Sequence, residues 1–326
     1  MTIAGRTFLV TGGTGFIGAA LVRRLVAMGG KVRVFDNNSR GSPRRLGDVA
    51  REVEVVDGDI RDAAAVSAAA VGVDCVWHLA YVNGTRFFYE RPELVLEVGV
   101  KGMFNVLDAC KRHGVRELVL ASSSEVYQTP PSVPTDETAP LSIPDPRNPR
   151  YSYGGGKIIS ELLAINYGRK DLDRVLIFRP HNVYGADMGW EHVIPELTLR
   201  LRNAIDADPA IRRIELPIQG TGSETRAFVH IDDLCDGLAL IYEKGEHLEI
   251  YHVGNDEEVT IADLAQRIGA CMDRDISIVP GPPAAGATAR RCPDIAKLRA
   301  LGYEPRRPLA EGLPPVVEWY RYANPT

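Results

Sequence analysis

The chain has 326 residues, 45% of them hydrophobic and 25% charged, with a formal net charge of -5. This profile belongs to a globular protein with room for one large core or two smaller ones, and it lacks the basic surface that nucleic acid or an anionic membrane would select. No stretch approaches the roughly 18 apolar residues of a membrane span, and "RTFLVTGG" begins too early for a signal peptide, so a cytoplasmic protein with no nucleic-acid or membrane partner is expected.

In the first half, strand-like runs at 7–11, 31–35, 52–56, 73–80, 116–122 and 173–178 alternate with helical patterns at 15–29, 62–71, 93–113 and 149–168. Strands that alternate with helices of this length predict βαβ units and a doubly wound parallel sheet of Rossmann type. Past residue 179 the pattern changes to a helix (193–207), short strands near 213–218 and 226–230, a helix from 232, a strand at 249–253, a helix from 260 and a closing helix in "LAEGLPPVVEWYRY". The expected division is a dinucleotide domain over 1–179, with parts of 226–255 returning to it, and a smaller α+β substrate lobe over 180–326, the site lying between them. Residues 128–149 hold seven of the 22 prolines, so they form neither a central strand nor a continuous helix and are expected in the pocket wall. "PGPPAAGATA" (280–289) reads as a loop. The five cysteines are odd in number and widely spaced, with no C-x-x-C pair, which predicts neither a disulfide framework nor a metal site.

"VTGGTGFIG" closes the first strand and opens the first helix, with Gly12, Gly15 and Gly18 spaced G-x-x-G-x-x-G. Glycines there let backbone approach a pyrophosphate at the positive end of the helix. Asp36 ends the second strand, where a carboxylate accepts from ribose hydroxyls and repels a 2′-phosphate, so NAD is expected as cofactor; Arg40 nearby keeps NADP as the alternative. Phe16 and Ile17 in the turn, Asp59 and Ile60 after strand three, Leu79 and Ala80 after strand four, and Pro180 after strand six are the further cofactor candidates.

Tyr153 and Lys157 are four apart and share a helix face. Tyrosine is a poor base at its ordinary pKa near 10, but a lysine ammonium one turn away stabilises the phenolate. Ser123, past strand five, can bond the same substrate hydroxyl. Between Tyr153 and Lys157 stand Gly154, Gly155 and Gly156, each costing an exposed helix roughly 1 kcal/mol relative to alanine, which demands a reason.

"TGGTGFIG", "GDI", "HLA", "SSSEVY", "YGGGK", "RPHNVYG", "TRAFVHIDD" and "RRCPDIAKLRALGYEP" occur in the order, and over the span, of an extended short-chain dehydrogenase/reductase of the NAD-dependent nucleotide-sugar epimerase/dehydratase family, which the chain closely resembles. The resemblance implies a catalytic Ser123, Tyr153 and Lys157, with Lys157 also holding the nicotinamide ribose, and small residues between Tyr and Lys because that helix runs close to the cofactor. It implies oxidation of a sugar carbon, usually C4, with hydride passing to NAD, followed by dehydration, decarboxylation or epimerisation. Glu125 occupies the acid/base position of the dehydratases and decarboxylases, and Ser124 replaces the aspartate of one dehydratase type. Arg226 and Arg291 match positions that grip the substrate's diphosphate; Tyr81, Ser124, His181 and Asn182 are the other substrate candidates. Three departures are visible: Gly99 for the family's helix-four asparagine, Gln219 where an aromatic often stacks on the base, and Tyr81 with "VNGTRFFYERPE" in place of a small residue after "HLA". A homodimer through helix four and the Tyr-Lys helix is also implied. The competing readings are a net oxidoreductase acting on a non-nucleotide alcohol or ketone, and a non-catalytic NAD-binding protein.

Overall fold

In the computed structural model, which describes residues 1–282 and 288–324, the first half of the chain runs β1 (Thr7–Thr11), α1 (Phe16–Ala27), β2 (Lys31–Asp36), β3 (Glu54–Asp57), α2 (Ala63–Ala69), β4 (Cys75–His78), α3 (Thr85–Glu90), α4 (Pro92–Leu96), α5 (Gly102–His113), β5 (Glu117–Ala121), α6 (Ser152–Asp171) and β6 (Arg174–Pro180). The 280–289 loop therefore lies partly outside the described residues. Next come β7 (Val183–Tyr184), α7 (Val193–Ala207), β8 (Arg213–Gln219), β9 (Thr225–Ala227), β10 (Val229–His230), α8 (Ile231–Lys244), β11 (Glu249–Val253), β12 (Glu258–Thr260), α9 (Ile261–Cys271), β13 (Asp275–Gly281), β14 (Arg290–Arg291), α10 (Ala296–Ala300) and α11 (Leu309–Tyr322).

Seven parallel strands form one sheet in the order β11-β6-β5-β4-β1-β2-β3. Strands β1, β4 and β5 are apolar along nearly their whole length because helices cover both faces; Phe8, Leu9, Val10, Val76, Trp77, Val119 and Leu120 are all buried. One core lies between the sheet and α1 with α8, the other between the sheet and α2, α5 and α6. The chain reverses its winding between β1 and β4, and a crevice opens at the carboxyl ends of the strands there.

A third core is built by α7, α9, α11 and the parallel pair β8–β13. β9 sits between β12 and β14, so the arginine-bearing segments 225–227 and 290–291 run side by side, with Arg226 paired in register to Arg291.

The pattern read as one helix over 93–113 is three pieces: α4, a π-helical turn at Glu97–Lys101, and α5. The turn carries Gly99 against the Tyr81 ring, and Gly102 packs on Ile60. Its apolar stripe also divides, since Leu107 and Cys110 are buried in the core while Leu96 and Phe104 remain exposed. No described helix is long and apolar enough to cross a membrane.

Candidate active site

A cavity of about 450 Å³ opens at the carboxyl edge of the sheet. Its cofactor side is lined by Gly12, Gly15, Phe16, Ile17, Gly18, Asp36, Asp59, Ile60, Leu79, Ala80 and Pro180. The glycine turn is too tight for any side chain. Gly12 has φ +72°, and a Cβ there would fall 2.8 Å from the Ala80 nitrogen; one on Gly18 would fall less than 3.0 Å from the Gly12 carbonyl. The first turn of α1 thus presents bare backbone to the cavity, which suits a pyrophosphate. Asp36 is fixed at the rim, accepting from the Thr14 nitrogen at 3.0 Å and the Asn38 nitrogen at 2.9 Å, and a carboxylate retains lone pairs for ribose hydroxyls. Arg40, which could have favoured a 2′-phosphate, is tied to Glu191 at 3.6 Å and stacked over Phe87 at 4.8 Å.

On the opposite wall lie Ser123, Ser124, Glu125, Tyr153 and Lys157. α6 brings Tyr153 and Lys157 together on one buried face, and Lys157 Nζ donates to the Ala121 carbonyl at 2.6 Å. Burial, only partly offset by Glu161, draws the Lys157 ammonium down to about 7. Burial pushes the Tyr153 phenol up to about 12, although the Ser123 hydroxyl pulls the other way. Lys157 in turn helps burial hold His78, bonded to Thr11 Oγ1 at 2.8 Å, down to about 3.

The glycine run of α6 has a steric cause. A Cβ on Gly154 would meet Gln128 Nε2 at 2.5 Å and the Glu125 carbonyl at 2.8 Å, and one on Gly155 would meet Ile143 at 3.2 Å. One on Gly156 would fall under 3.0 Å from the Tyr81 hydroxyl. This helix is buried on all sides at its second turn, so close approach outweighs helix propensity.

Glu125 Oε1 accepts from Arg291 Nη1 at 2.6 Å. Burial alone would raise this carboxyl, but Arg291, then Arg150 and Arg226, bring it below the usual range, so it stays ionised. Arg226 donates to the Thr225 carbonyl at 2.7 Å; burial, then neighbouring Arg291, draws its guanidinium down to about 10. A cationic cluster thus surrounds one carboxylate.

Two substrate candidates stand outside the cavity. His181 is 1% exposed and turned toward β11, its ring edge-on to His252 at 4.6 Å, and burial holds it neutral. Arg226 reaches the site only through its charge neighbours. Asn182 and Tyr81 do line the cavity, Asn182 holding the lobe by donating to the Ala227 carbonyl at 3.0 Å. Gln219 is exposed at the end of β8. Among the described residues, no part of the proline-rich segment 128–149 lines the cavity, which corrects the expected wall: it packs outside, with Ile143 on Gly155 and Thr135 bridged to Pro293. Sequence reasoning missed Arg150, whose only signal is its place three residues before Tyr153, and the rim residues Arg45 and Met188, while Phe88 and Glu191 lie in the stretches 82–93 and 190–192 that the sequence offered as shaping the pocket. Among the described residues no cluster of His, Cys, Asp and Glu could hold a metal.

The model of the NAD dependent epimerase/dehydratase family matches residues 8–254. The chain belongs to this family. It is 32% identical to UDP-glucuronic acid decarboxylase 1 of Arabidopsis thaliana over 96% of its own length and 69% of the relative's. It is also 32% identical to dTDP-4-dehydro-6-deoxy-D-allose reductase of Streptomyces bikiniensis, covering 98% and 97%. Among solved structures, DesIV, the dTDP-glucose 4,6-dehydratase of Streptomyces venezuelae with NAD bound, superposes with a TM-score of 0.84 at 32% identity, covering 97% of each chain.

Proposed function

We propose that this chain is an NAD-dependent enzyme acting on a nucleotide-diphosphate sugar, and that it removes carbon dioxide from a sugar that carries a carboxylate. The observation that carries this reading is the ionised Glu125 held by Arg291, with Arg150 and Arg226 beside it, in the cavity of Tyr153 and Lys157. NAD bound on the glycine side supplies a hydride acceptor that later returns what it took. Tyr153, with Lys157 and Ser123 beside it, takes the proton from the sugar hydroxyl as the carbonyl forms. A carboxylate borne by the carbon α to that carbonyl then leaves as carbon dioxide: its C–C bond breaks, the electron pair passes into an enolate, and the α carbon takes a solvent proton beside Glu125. Three arginines against Glu125, with Glu224 also near Arg226, leave surplus positive charge for a diphosphate and a sugar carboxylate. The relatives named as a decarboxylase and a dehydratase support the same keto intermediate.

A net reductase must exchange its cofactor at every turnover. Here the rim is bridged by Asp187 with Arg45 at 3.0 Å, and by Glu191 with Arg40 at 3.6 Å and Arg86 at 3.4 Å, which supports a retained NAD and a redox-neutral reaction. Arg40, so tied, supports NAD over NADP. A second copy is proposed to cover Leu96, Phe104, Ile159 and Leu162, which are 38% to 55% exposed on neighbouring helices α4, α5 and α6; light scattering of the purified protein tests this.

The deciding experiment incubates the protein with NAD and a panel of UDP-, GDP-, CDP- and dTDP-sugars, acidic sugars included, and reads product mass. Loss of carbon dioxide supports the reading. Loss of water makes the enzyme a dehydratase, and unchanged mass makes it an epimerase with a structural Glu125.

A further inference from the structure

Tyr81 follows β4 in the cavity wall, and two glycines from other elements leave room for it. Its ring lies where a Cβ on Gly99 would sit, every nearest atom being a Tyr81 ring or hydroxyl atom under 3.0 Å away. Its hydroxyl also lies where a Cβ on Gly156 would sit, whereas the ring carbon bearing that hydroxyl is 3.4 Å from the same point. The hydroxyl is buried with no partner among the described residues, so hydrogen bonding does not explain why tyrosine is there. The ring face explains more. Lys157 Nζ is 3.9 Å from its centroid, and Tyr153 meets it edge-on at 5.1 Å while stacking on Phe88 at 5.0 Å.

We propose that Tyr81 is a positioning residue: its ring holds the Lys157 ammonium charged and aimed between strand β5 and Tyr153, in a space opened by glycines at 99 and 156. This rests on reading Tyr153 and Lys157 as the proton-transfer pair. The groups facing Lys157 are Tyr153 and Glu161 on α6, His78 at the end of β4, Tyr81 after it, and the Ala121 carbonyl of β5. Glu161 is committed to Arg179 at 2.6 Å and to Ser122, and His78 is neutral, so the Tyr81 face is the uncommitted support on the cavity side. An ammonium over a desolvated ring gains enough to change its protonation equilibrium by about tenfold.

The test uses the NAD-loaded enzyme, reading kcat against pH, bound NAD content and melting temperature. In Y81L the lysine loses its ring and gives up its proton at lower pH, so the alkaline-side midpoint of kcat moves down by about one unit and the plateau falls about tenfold, while Y81F keeps the wild-type midpoint. An unmoved midpoint in a folded Y81L overturns the proposal. A steric cycle serves should Y81L fail to fold. G156A is damaging when Tyr81 is intact but costs at least about tenfold less in kcat/KM when combined with Y81F, because only the hydroxyl collides. Additive costs overturn the shared-space argument. Y153F checks the underlying reading separately: if it keeps full turnover, Tyr153 is not the base, whatever the Tyr81 variants do.

Discussion

The two ends of the cavity are built by different means. At the cofactor end the main chain does the shaping, through a glycine turn and helix start that are contiguous in sequence and the ends of neighbouring strands. At the substrate end side chains do it, brought from positions far apart: Glu125 and Arg291 are 166 residues apart, and Tyr81 meets glycines from the π-helical turn and from α6. The first construction admits almost no variation, because any added atom meets backbone. The second is set by side chains, as Tyr81 with Gly99 illustrates, and each can be changed without moving the main chain.

The largest effect expected from breaking the substrate end is at Tyr153. Y153F removes the proton acceptor while leaving the buried ring between Tyr81 and Phe88, so turnover falls about 10³-fold with melting temperature nearly unchanged. Steady-state kinetics with circular dichroism checks both halves. E125Q comes next. It keeps the shape but removes the charge, so the step after oxidation slows about 10²-fold and reduced cofactor accumulates, visible by absorbance. Wild-type product formation by E125Q would confine Glu125 to a structural pairing.

Removing Arg291 should act less severely and through a different variable. Without its closest cation, burial dominates and the Glu125 carboxyl rises toward and past its ordinary value. The acid limb of kcat in R291A should then move up in pH, with R291K recovering part of the shift. An unmoved limb would show that Arg150 and Arg226 already hold the carboxylate.

This contrast also governs what could be read from the chain. The cofactor end was legible because each of its residues is named by a local pattern: Gly12 to Gly18 between a strand and a helix, Asp36 at a strand end, Leu79 and Ala80 after β4. The sheet was equally legible, its buried strands carrying continuous apolar runs. The break in the 93–113 helix was not, since a π-helical turn leaves the apolar spacing nearly intact and the Tyr81 ring that packs on its Gly99 comes from another element. The Glu125–Arg291 pair was invisible as a pair, because only the packing of β14 on β9 brings Arg291 to the end of β5. His181 was misplaced for a related reason: a motif position does not say which way a residue after a strand will turn, and here it turns into the packed layer against His252.

The smallest predicted effect probes the resting cost of the substrate end. Lys157 is buried with its ammonium drawn from an ordinary 10.5 to about 7. Below pH 7 both folded and unfolded chains hold this proton, and the folded protein bears the full cost of a buried charge. Between about 7 and 10.5 the folded state releases the proton while the unfolded chain keeps it, so stability rises with pH. Over the unit from pH 7 to 8 the gain is about 1 kcal/mol. Burial holds His78, His181 and His252 below their ordinary 6.5 and pushes Tyr153 up to about 12, but it also pushes up the five cysteine thiols, whose opposite contribution in this window is common to wild type and K157M and cancels in their difference. Denaturant unfolding of NAD-free protein at pH 7 and 8 should therefore show the rise in wild type relative to K157M. A K157M protein that keeps the same slope would place the proton elsewhere and mean that the lysine already carries its charge in full before any cofactor arrives.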